Sequence, residues 1–258
     1  MNRSTAFRLT EEHSGIGVGD LPMMMRVRQE FPRPIEADIA GAVRREIAPF
    51  LGRISTGARI AVTGSSRGIP NLAMVLKEVV TCIREVGGEP FVVPGMGSHG
   101  GATAEGQVAV LADSNDITEA SVGAPIVSSM EVVQVGTTQT GFPVYQDKNA
   151  FEADGVFVIN RVKPHTGFTG PVESGLCKML VIGLGKQAGA SRIHQQSLRV
   201  EMQRMILDAS KIILESARPK FLGGLALLDN AFKETARIAG VPMDSHEAMV
   251  SAESALLE

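Results

Sequence analysis

The chain has 258 residues, of which 44% are hydrophobic and 21% charged, and its formal net charge is −3. This is the composition of an ordinary globular protein, and the lack of a basic excess argues against a nucleic-acid-binding protein. Two cysteines cannot form a disulfide framework in a chain of this length, and no apolar run has the layout of a membrane span or a signal peptide. We therefore expect a cytoplasmic protein that binds neither nucleic acid nor membrane.

Short apolar runs alternate along the chain with segments of helical periodicity. The first predicted elements are a strand at Pro22–Phe31, a helix at Ile35–Phe50, a strand at Arg59–Thr63, a helix at Asn71–Val86, a strand at Pro90–Pro94 and a helix at Thr103–Ala112. They are followed by two strands within Ile126–Val144, strands at Gly155–Asn160 and Met179–Gly183, a long helix at His194–Ser216 and a strand at Gly224–Leu228. This alternation predicts an α/β domain with a mainly parallel sheet and helices on both faces.

The glycine-rich segments mostly follow the ends of predicted strands. Open α/β sheets bind their ligands at the carboxyl ends of the strands, so we expect the catalytic loops there. We assign residues 1–240 to this domain. Residues 241–258 have a helical pattern without a C-cap, and we expect them to begin a linker helix toward a C-terminal domain that this chain lacks.

The segment Arg59–Pro70 has the strand-then-glycine pattern of a dinucleotide-binding loop. The third glycine of that pattern, which allows close packing of helix on strand, is replaced by Pro70. The short-chain dehydrogenases also need a tyrosine four residues before a lysine, whereas Tyr145 is followed at that distance by Asn149. A nicotinamide dehydrogenase therefore stays a minor alternative, which a cofactor titration would test.

Three of the five histidines lie in or after these glycine-rich segments. His99 follows the strand Pro90–Pro94, His165 follows Gly155–Asn160, and His194 comes after Met179–Gly183. A single loop histidine is most often a structural hydrogen-bonding group. Three of them at strand ends, among glycines that cost conformational entropy, favour a site for proton transfer or metal binding.

Lysines and an arginine occupy the same segments. Lys163 lies beside His165, while Lys178 and Lys186 stand at the two ends of the predicted strand Met179–Gly183. Such lysines are usually solvated, but a lysine within a site can act as a nucleophile or a covalent anchor. Arg67, in the sequence GSSRG, can bind a carboxylate through two parallel hydrogen bonds.

At these residues the chain resembles the lactate racemase family, in the N-terminal domain. The segments that carry the resemblance are GSSRGI, PGMGSHGGATAEGQ, NRVKPHTGF and ESGLCKMLVIGLGK, spread over roughly residues 15–235. The combination is specific although each segment is short. One departure is Gly64, which stands three residues before Arg67 where the lactate enzymes have an acidic residue.

The resemblance implies an isomerase, a racemase or epimerase of a small 2-hydroxy acid. Its cofactor would be a nickel-pincer nucleotide, a nickel ion in a pyridinium dithiocarboxylate-type mononucleotide that dedicated maturation proteins make and that is absent without them. This group would accept hydride from C2 and return it to the other face of a 2-oxo acid. By motif, His99 and His165 would be the two acid/base groups, Lys178 would carry the pincer, His194 would bind nickel and Arg67 would bind the substrate carboxylate.

A second interpretation is a domain of the same fold that binds a small carboxylate or a sugar acid without nickel chemistry. Metal analysis after co-expression with the maturation proteins distinguishes the two interpretations, because only the nickel-pincer enzyme would contain nickel. Because each of them follows a predicted strand end, we expect His99, His165, Lys178 and His194 to face one cleft at the carboxyl edge of the sheet.

Overall fold

The structure is a computed structural model that describes residues 25–66, 68–197, 200–218 and 220–257. Contacts divide the chain into a short unit, Met1–Phe31, and a body, Pro32–Glu258. In the short unit, residues 25–31 contain no strand, so the strand predicted at Pro22–Phe31 is wrong over this part, while its first residues lie outside the described ranges. Alternation yields a stable strand only where other strands or a helix pack with it.

The body consists of helices and strands that alternate along the chain. The helices are α1 (Ile39–Leu51), α2 (Leu72–Glu85), α3 (Ala104–Asn115), α4 (Glu119–Val122), α5 (Lys148–Glu152), α6 (Leu176–Lys178), α7 (Lys186–Gln196), α8 (Met202–Glu215) and α9 (His246–Ser254). A 3₁₀ turn (Gly100–Ala102) precedes α3, and a π-helical segment (Met179–Gly183) continues α6. The strands are β1 (Arg59–Gly64), β2 (Glu89–Pro94), β3 (Val132–Thr137), β4 (Pro143–Asp147), β5 (Gly155–Arg161), β6 (Phe221–Asp229) and β7 (Thr235–Val241).

Five strands form the central sheet in the order β2-β1-β5-β6-β7. The pairs β2–β1, β1–β5 and β5–β6 are parallel, and β7 pairs antiparallel with β6 at the edge. Strands β3 and β4 form a separate antiparallel hairpin. The predicted α/β class with a mainly parallel sheet is confirmed.

Successive residues of the sheet strands face two different cores. On β1, Ile60 and Val62 pack with α1 and α2, whereas Ala61 packs on the opposite face with α6, α7 and α8. Because both faces are covered, the strands read as continuous apolar runs rather than as alternating ones. The prediction of helices on both faces is therefore also confirmed.

Capping residues set where several helices begin. Helix α1 begins later than predicted because Asp38 caps it, accepting a hydrogen bond of 2.9 Å from the amide of Gly41. Thr103 caps α3, with its side-chain hydroxyl accepting from the amide of Gly106 at 3.0 Å. Asn71 precedes α2 but does not cap it, since its side chain donates instead to Thr235 Oγ1 at 2.9 Å.

The C-terminal third departs most from the predictions. The single helix predicted at His194–Ser216 is two helices, α7 and α8, and strand β7 was not predicted at all. Helix α9 packs against the body, where Met249 and Glu253 are buried. Whether residues 241–258 also lead to a further domain stays a prediction. Among the described residues, no helix combines the length and apolar character that a bilayer crossing requires.

Candidate active site

A cleft of about 320 Å³ opens where β1, β2 and β5 end, at their carboxyl edge. Its walls come from the segments that follow these three strands and from the helical segment after β5. Lys163 lines it, and so do the four side chains that were predicted to share a site: His99, His165, Lys178 and His194. The structure therefore brings these four together, as predicted, while their chemical roles stay predictions.

The fifth predicted residue, Arg67, lies outside the described residues. Its neighbours Ser65 and Ser66 line the cleft. Ser65 is buried and its hydroxyl donates to Asn160 Oδ1 at 3.0 Å, while the Asn160 side chain donates to the carbonyl of Gly175 at 2.8 Å. These bonds join the end of β1 to the end of β5 and to the start of α6.

His99 lies in a loop whose backbone requires glycine. Gly97, Gly100 and Gly101 all have positive φ, at 61°, 67° and 64°. A side chain at Gly100 would also meet the backbone of Gly106 at 2.4 Å, so the loop passes tightly over the start of α3. His99 Nδ1 lies 2.6 Å from Ser66 Oγ, which orients the imidazole at the mouth of the cleft.

His165 is half-buried in the loop that follows β5. Its ring stacks on Phe168, with 4.3 Å between ring centroids and 29° between planes. The same Phe168 ring lies 5.7 Å from the Nζ atom of Lys178. One aromatic side chain thus contacts both a histidine and the lysine of the cleft.

The segment that carries Lys178 was assigned wrongly from the sequence. Met179–Gly183 is not a strand but a π-helical segment, in which the amide of Leu184 donates to the carbonyl of Met179 at 2.9 Å. An apolar run of this length fits a buried helix as well as a buried strand. Lys178 therefore ends α6 rather than opening a strand, and π-helical turns are frequent at functional sites.

His194 also lies in a different element from the predicted one. It stands in the last turn of α7, not at the start of a long helix, and it is exposed toward the cleft. Gly183 and Gly185 let the chain turn closely between Lys178 and this helix, since a side chain at Gly185 would meet the carbonyl of Val181. The residue is thus correctly placed in the site although its element was not.

Lys186, interpreted from the sequence as solvated, is fully buried beneath the cleft. Its Nζ atom donates to the carbonyl of Pro94 at 2.7 Å and to Gln107 Oε1 at 2.9 Å, and lies 3.1 Å from Asp147 Oδ2. Burial lowers the pKa of Lys186 and raises that of Asp147, and their mutual attraction opposes both shifts. Gln107 in turn donates to the carbonyl of Gly97, so this pair supports the loop that carries His99.

These supporting contacts could not be predicted from the sequence. Ser66 and Phe168 stand inside the motifs GSSRG and HTGF, but only the fold shows that they contact His99 and His165. Tyr145, the tyrosine that a dehydrogenase would require, lies in β4 and does not line the cleft.

The side chains of the cleft could move protons and bind an anion or a cofactor. Across the described part of the chain, no group of three His, Cys, Asp or Glu side chains could hold a metal ion between them. Among the described residues, the cleft therefore offers the imidazole of His194 as a metal ligand without a cluster of protein ligands around it.

Comparison with known proteins identifies the family. The sequence-family model that describes the lactate racemase N-terminal domain matches residues 51–206, which is more than half of the chain. Among solved structures, the chain is similar to the lactate racemase apoprotein from Thermoanaerobacterium thermosaccharolyticum, with a TM-score of 0.58 and 13% sequence identity. This likeness, which concerns the fold, covers 86% of our chain and 55% of that protein, so the chain spans about half of its length. No curated protein matches. The chain belongs to the lactate racemase N-terminal domain family.

Proposed function

We propose that this chain is the catalytic domain of a nickel-pincer-dependent racemase or epimerase of a 2-hydroxy acid. The reaction would be reversible hydride transfer through a 2-oxo acid. The observation that carries the proposal is that His99, His165, Lys178 and His194 line the same cleft. Membership of the lactate racemase N-terminal domain family supports the isomerase class.

The residues of the cleft fit the group that the family implies. Lys178 is half-buried, with its side chain at the cleft, and would tether the pincer. Imidazole is a suitable ligand for nickel, and His194 would supply it. The described residues offer no three-ligand metal cluster, and in this proposal the pincer itself would supply the remaining donors.

When bound, the cofactor supplies the hydride acceptor for C2 of the substrate. The protein binds, orients and handles protons. Arg67 would bind the substrate carboxylate, and His99 and His165 would take up and return the hydroxyl proton. The volume of about 320 Å³ lies at the small end of ligand pockets, which suits a small hydroxy acid.

The two cysteines agree with the cytoplasmic setting that belongs to this proposal. Cys82 and Cys177 are both buried free thiols, as expected in a reducing cytoplasm. The maturation proteins that make the pincer would be the macromolecular partners, and a small 2-hydroxy acid the substrate.

Co-expression of the chain with pincer-synthesis proteins tests the proposal. Peptide mass mapping should find the adduct on Lys178, and metal analysis should find nickel in the same sample. Lys178→Ala should lose the adduct, whereas Lys163→Ala should keep it, because Lys163 lines the cleft but is not the proposed anchor. His194→Ala should keep the adduct and lose nickel.

An unmodified, nickel-free Lys178 after co-expression would contradict the proposal. If that sample still bound a 2-hydroxy acid or a sugar acid, the alternative of a carboxylate-binding domain without nickel chemistry would replace it. An adduct that persists in Lys178→Ala would contradict the assignment of the anchor.

A further inference from the structure

The loop that carries His165 is held by its own hydrogen bonds. Lys163 and Ser174 close it through two backbone bonds, from Lys163 N to Ser174 O at 2.9 Å and from Ser174 N to Lys163 O at 3.2 Å. Inside the loop the buried Glu173 carboxylate accepts from the amide of His165 at 2.5 Å and from that of Gly170 at 3.2 Å. The backbone at His165 is therefore fixed in one conformation.

The imidazole of His165 is fixed as well. The backbone amide of Gly167 donates to His165 Nδ1 at 3.0 Å, and Phe168 stacks on the face of the ring. A backbone amide can only donate, so Nδ1 must carry a lone pair. The neutral ring in this arrangement has its proton on Nε2.

His99 differs in this respect. Its Nδ1 lies 2.6 Å from the hydroxyl of Ser66, and a hydroxyl can donate or accept as the ring requires. Ser66 therefore accommodates a proton on either nitrogen of His99 or on both. The Nδ1 atoms of His99 and His165 thus have neighbours of different chemistry.

We propose that the Gly167 amide fixes His165 as the Nε2–H tautomer, so that His165 donates a hydrogen bond to the substrate while His99 is set to accept the hydroxyl proton. The catalytic part of this inference rests on the proposed function. When His99 accepts the proton, the O–H bond breaks and an N–H bond forms. The oxygen electron pair becomes the second C–O bond as hydride leaves C2 with its two electrons for the cofactor.

The consequence is an unequal pair of half-reactions. His165 can accept a proton at Nε2 only if its own proton moves to Nδ1, which breaks the bond to Gly167. The loss of one hydrogen bond corresponds to a slowing of roughly 2- to 10-fold. We therefore expect the enantiomer whose hydroxyl faces His99 to be oxidised faster in a single turnover by about this factor.

The tautomer can be measured on the chain without cofactor. Two-bond ¹H–¹⁵N correlation spectra of histidine-labelled protein at pH 8 distinguish the two neutral forms, and the expected form of His165 is Nε2–H. Gly167→Ala keeps the amide, and its added carbon would lie 3.5 Å from His165 Cε1, an ordinary contact. This variant should keep the pattern, whereas Gly167→Pro, which has no N–H, should lose it.

An Nδ1–H pattern for His165 in the unmodified chain would overturn the inference, as would an unchanged pattern in a folded Gly167→Pro. The measurement on the unmodified chain decides even if the proline variant does not fold. Ser66→Ala serves as the control, and it should change the spectrum of His99 but not that of His165.

The catalytic part is tested on the loaded enzyme with pure enantiomers. His99→Gln should slow oxidation of the faster enantiomer by about 10²–10⁴-fold, the usual contribution of a general base. His165→Gln keeps a donating amide and should slow it far less. Equal losses in the two variants would overturn this assignment. A missing adduct on Lys178 would contradict the proposed function, not the inference about the His165 tautomer. The tautomer is measured on the chain without cofactor, so that result does not depend on the adduct.

Discussion

Two lysines stand on either side of the π-helical segment and have opposite environments. Lys178 is half-buried, lines the cleft and lies 5.7 Å from the ring of Phe168. Lys186 has no exposed surface, and its ammonium contacts the carbonyl of Pro94, Gln107 and Asp147. Lys178 thus lines the cleft, whereas Lys186 is buried and holds together residues that support the cleft.

The comparison shows that two lysines eight residues apart can have opposite environments, because burial and neighbouring groups differ between them. A buried ammonium that is paired with a carboxylate is held in place by that partner and cannot reach a ligand. Of these two lysines, only Lys178 lines the cleft. Three changes test how far this difference extends.

The largest expected effect comes from Lys186→Met. It removes the cation and leaves the Asp147 carboxylate buried without its partner, which typically costs about 3–5 kcal/mol. The free energy of unfolding, measured by urea denaturation at pH 7, should fall by this amount. Asp147→Asn in the Lys186→Met background should restore part of the loss, because the asparagine carries no charge.

Lys178→Met is the matched control, since it makes the same change at the other lysine. Lys178 is only half-buried, so water can solvate the groups that its ammonium leaves, and we expect a change below about 1 kcal/mol. Equal losses in the two variants would break the comparison, because Lys178 would then be as structural as Lys186.

The second prediction concerns the helix that carries Lys178. Glu253 of α9 is buried and accepts from the amides of Leu176 and Cys177, at 2.8 and 2.9 Å, where α6 begins. Burial raises the pKa of Glu253 from 4.5 to about 7. Between these two values the folded protein keeps a proton that the unfolded chain has lost, so its stability falls as the pH rises from about 4.5 to about 7.

A shift of this size corresponds to about 3 kcal/mol. Glu253→Gln cannot ionise, so the stability of the parent relative to this variant should decline by that amount between pH 4.5 and pH 8. Glu247→Gln on the same helix is the control. Glu247 is exposed, and hydrogen bonding to its own backbone amide lowers its pKa, so its contribution has the opposite sign and increases as the pH rises. A flat difference for Glu253→Gln would show that the carboxyl is not held protonated.

The sequence predicted the centre of the fold well and its periphery poorly. Strands β1, β2 and β5 were placed within one residue at either end, because each is a continuous apolar run bounded by glycine, proline or charge. The segment Met179–Gly183 has the same composition but is helical, since an apolar run alone does not distinguish the two. Strand β7 was missed because it is a partly exposed edge strand without a continuous apolar run.

The candidate site was predictable where it depends on strand ends. His99 and His165 share a cleft because parallel strands end at one edge of the sheet. The opposite environments of Lys178 and Lys186 could not be predicted, because Asp147 and Gln107 lie far from Lys186 in sequence and meet it only in the fold. Burial is a property of these long-range contacts.

The smallest expected effect concerns the aromatic contact of the cleft lysine. Phe168→Leu keeps an apolar side chain but removes the aromatic ring that contacts both His165 and Lys178. An ammonium over a ring at an exposed site gains about 0.5–1 kcal/mol. Without the ring, labelling of Lys178 by an amine reagent should speed up by roughly 2- to 5-fold, a factor that follows from this energy.

Phe232→Leu is the control for this last change. Phe232 is also an aromatic under a cation, with the Arg33 guanidinium 5.0 Å from its ring centroid, but it does not line the cleft. Phe232→Leu should leave both the labelling rate of Lys178 and the NMR signals of His165 unchanged. Phe168→Leu should shift the His165 signals, because it removes the ring that stacks on the imidazole. If the two leucine variants label alike, the Phe168 ring does not restrain Lys178, and the exposure of this lysine alone distinguishes it from Lys186.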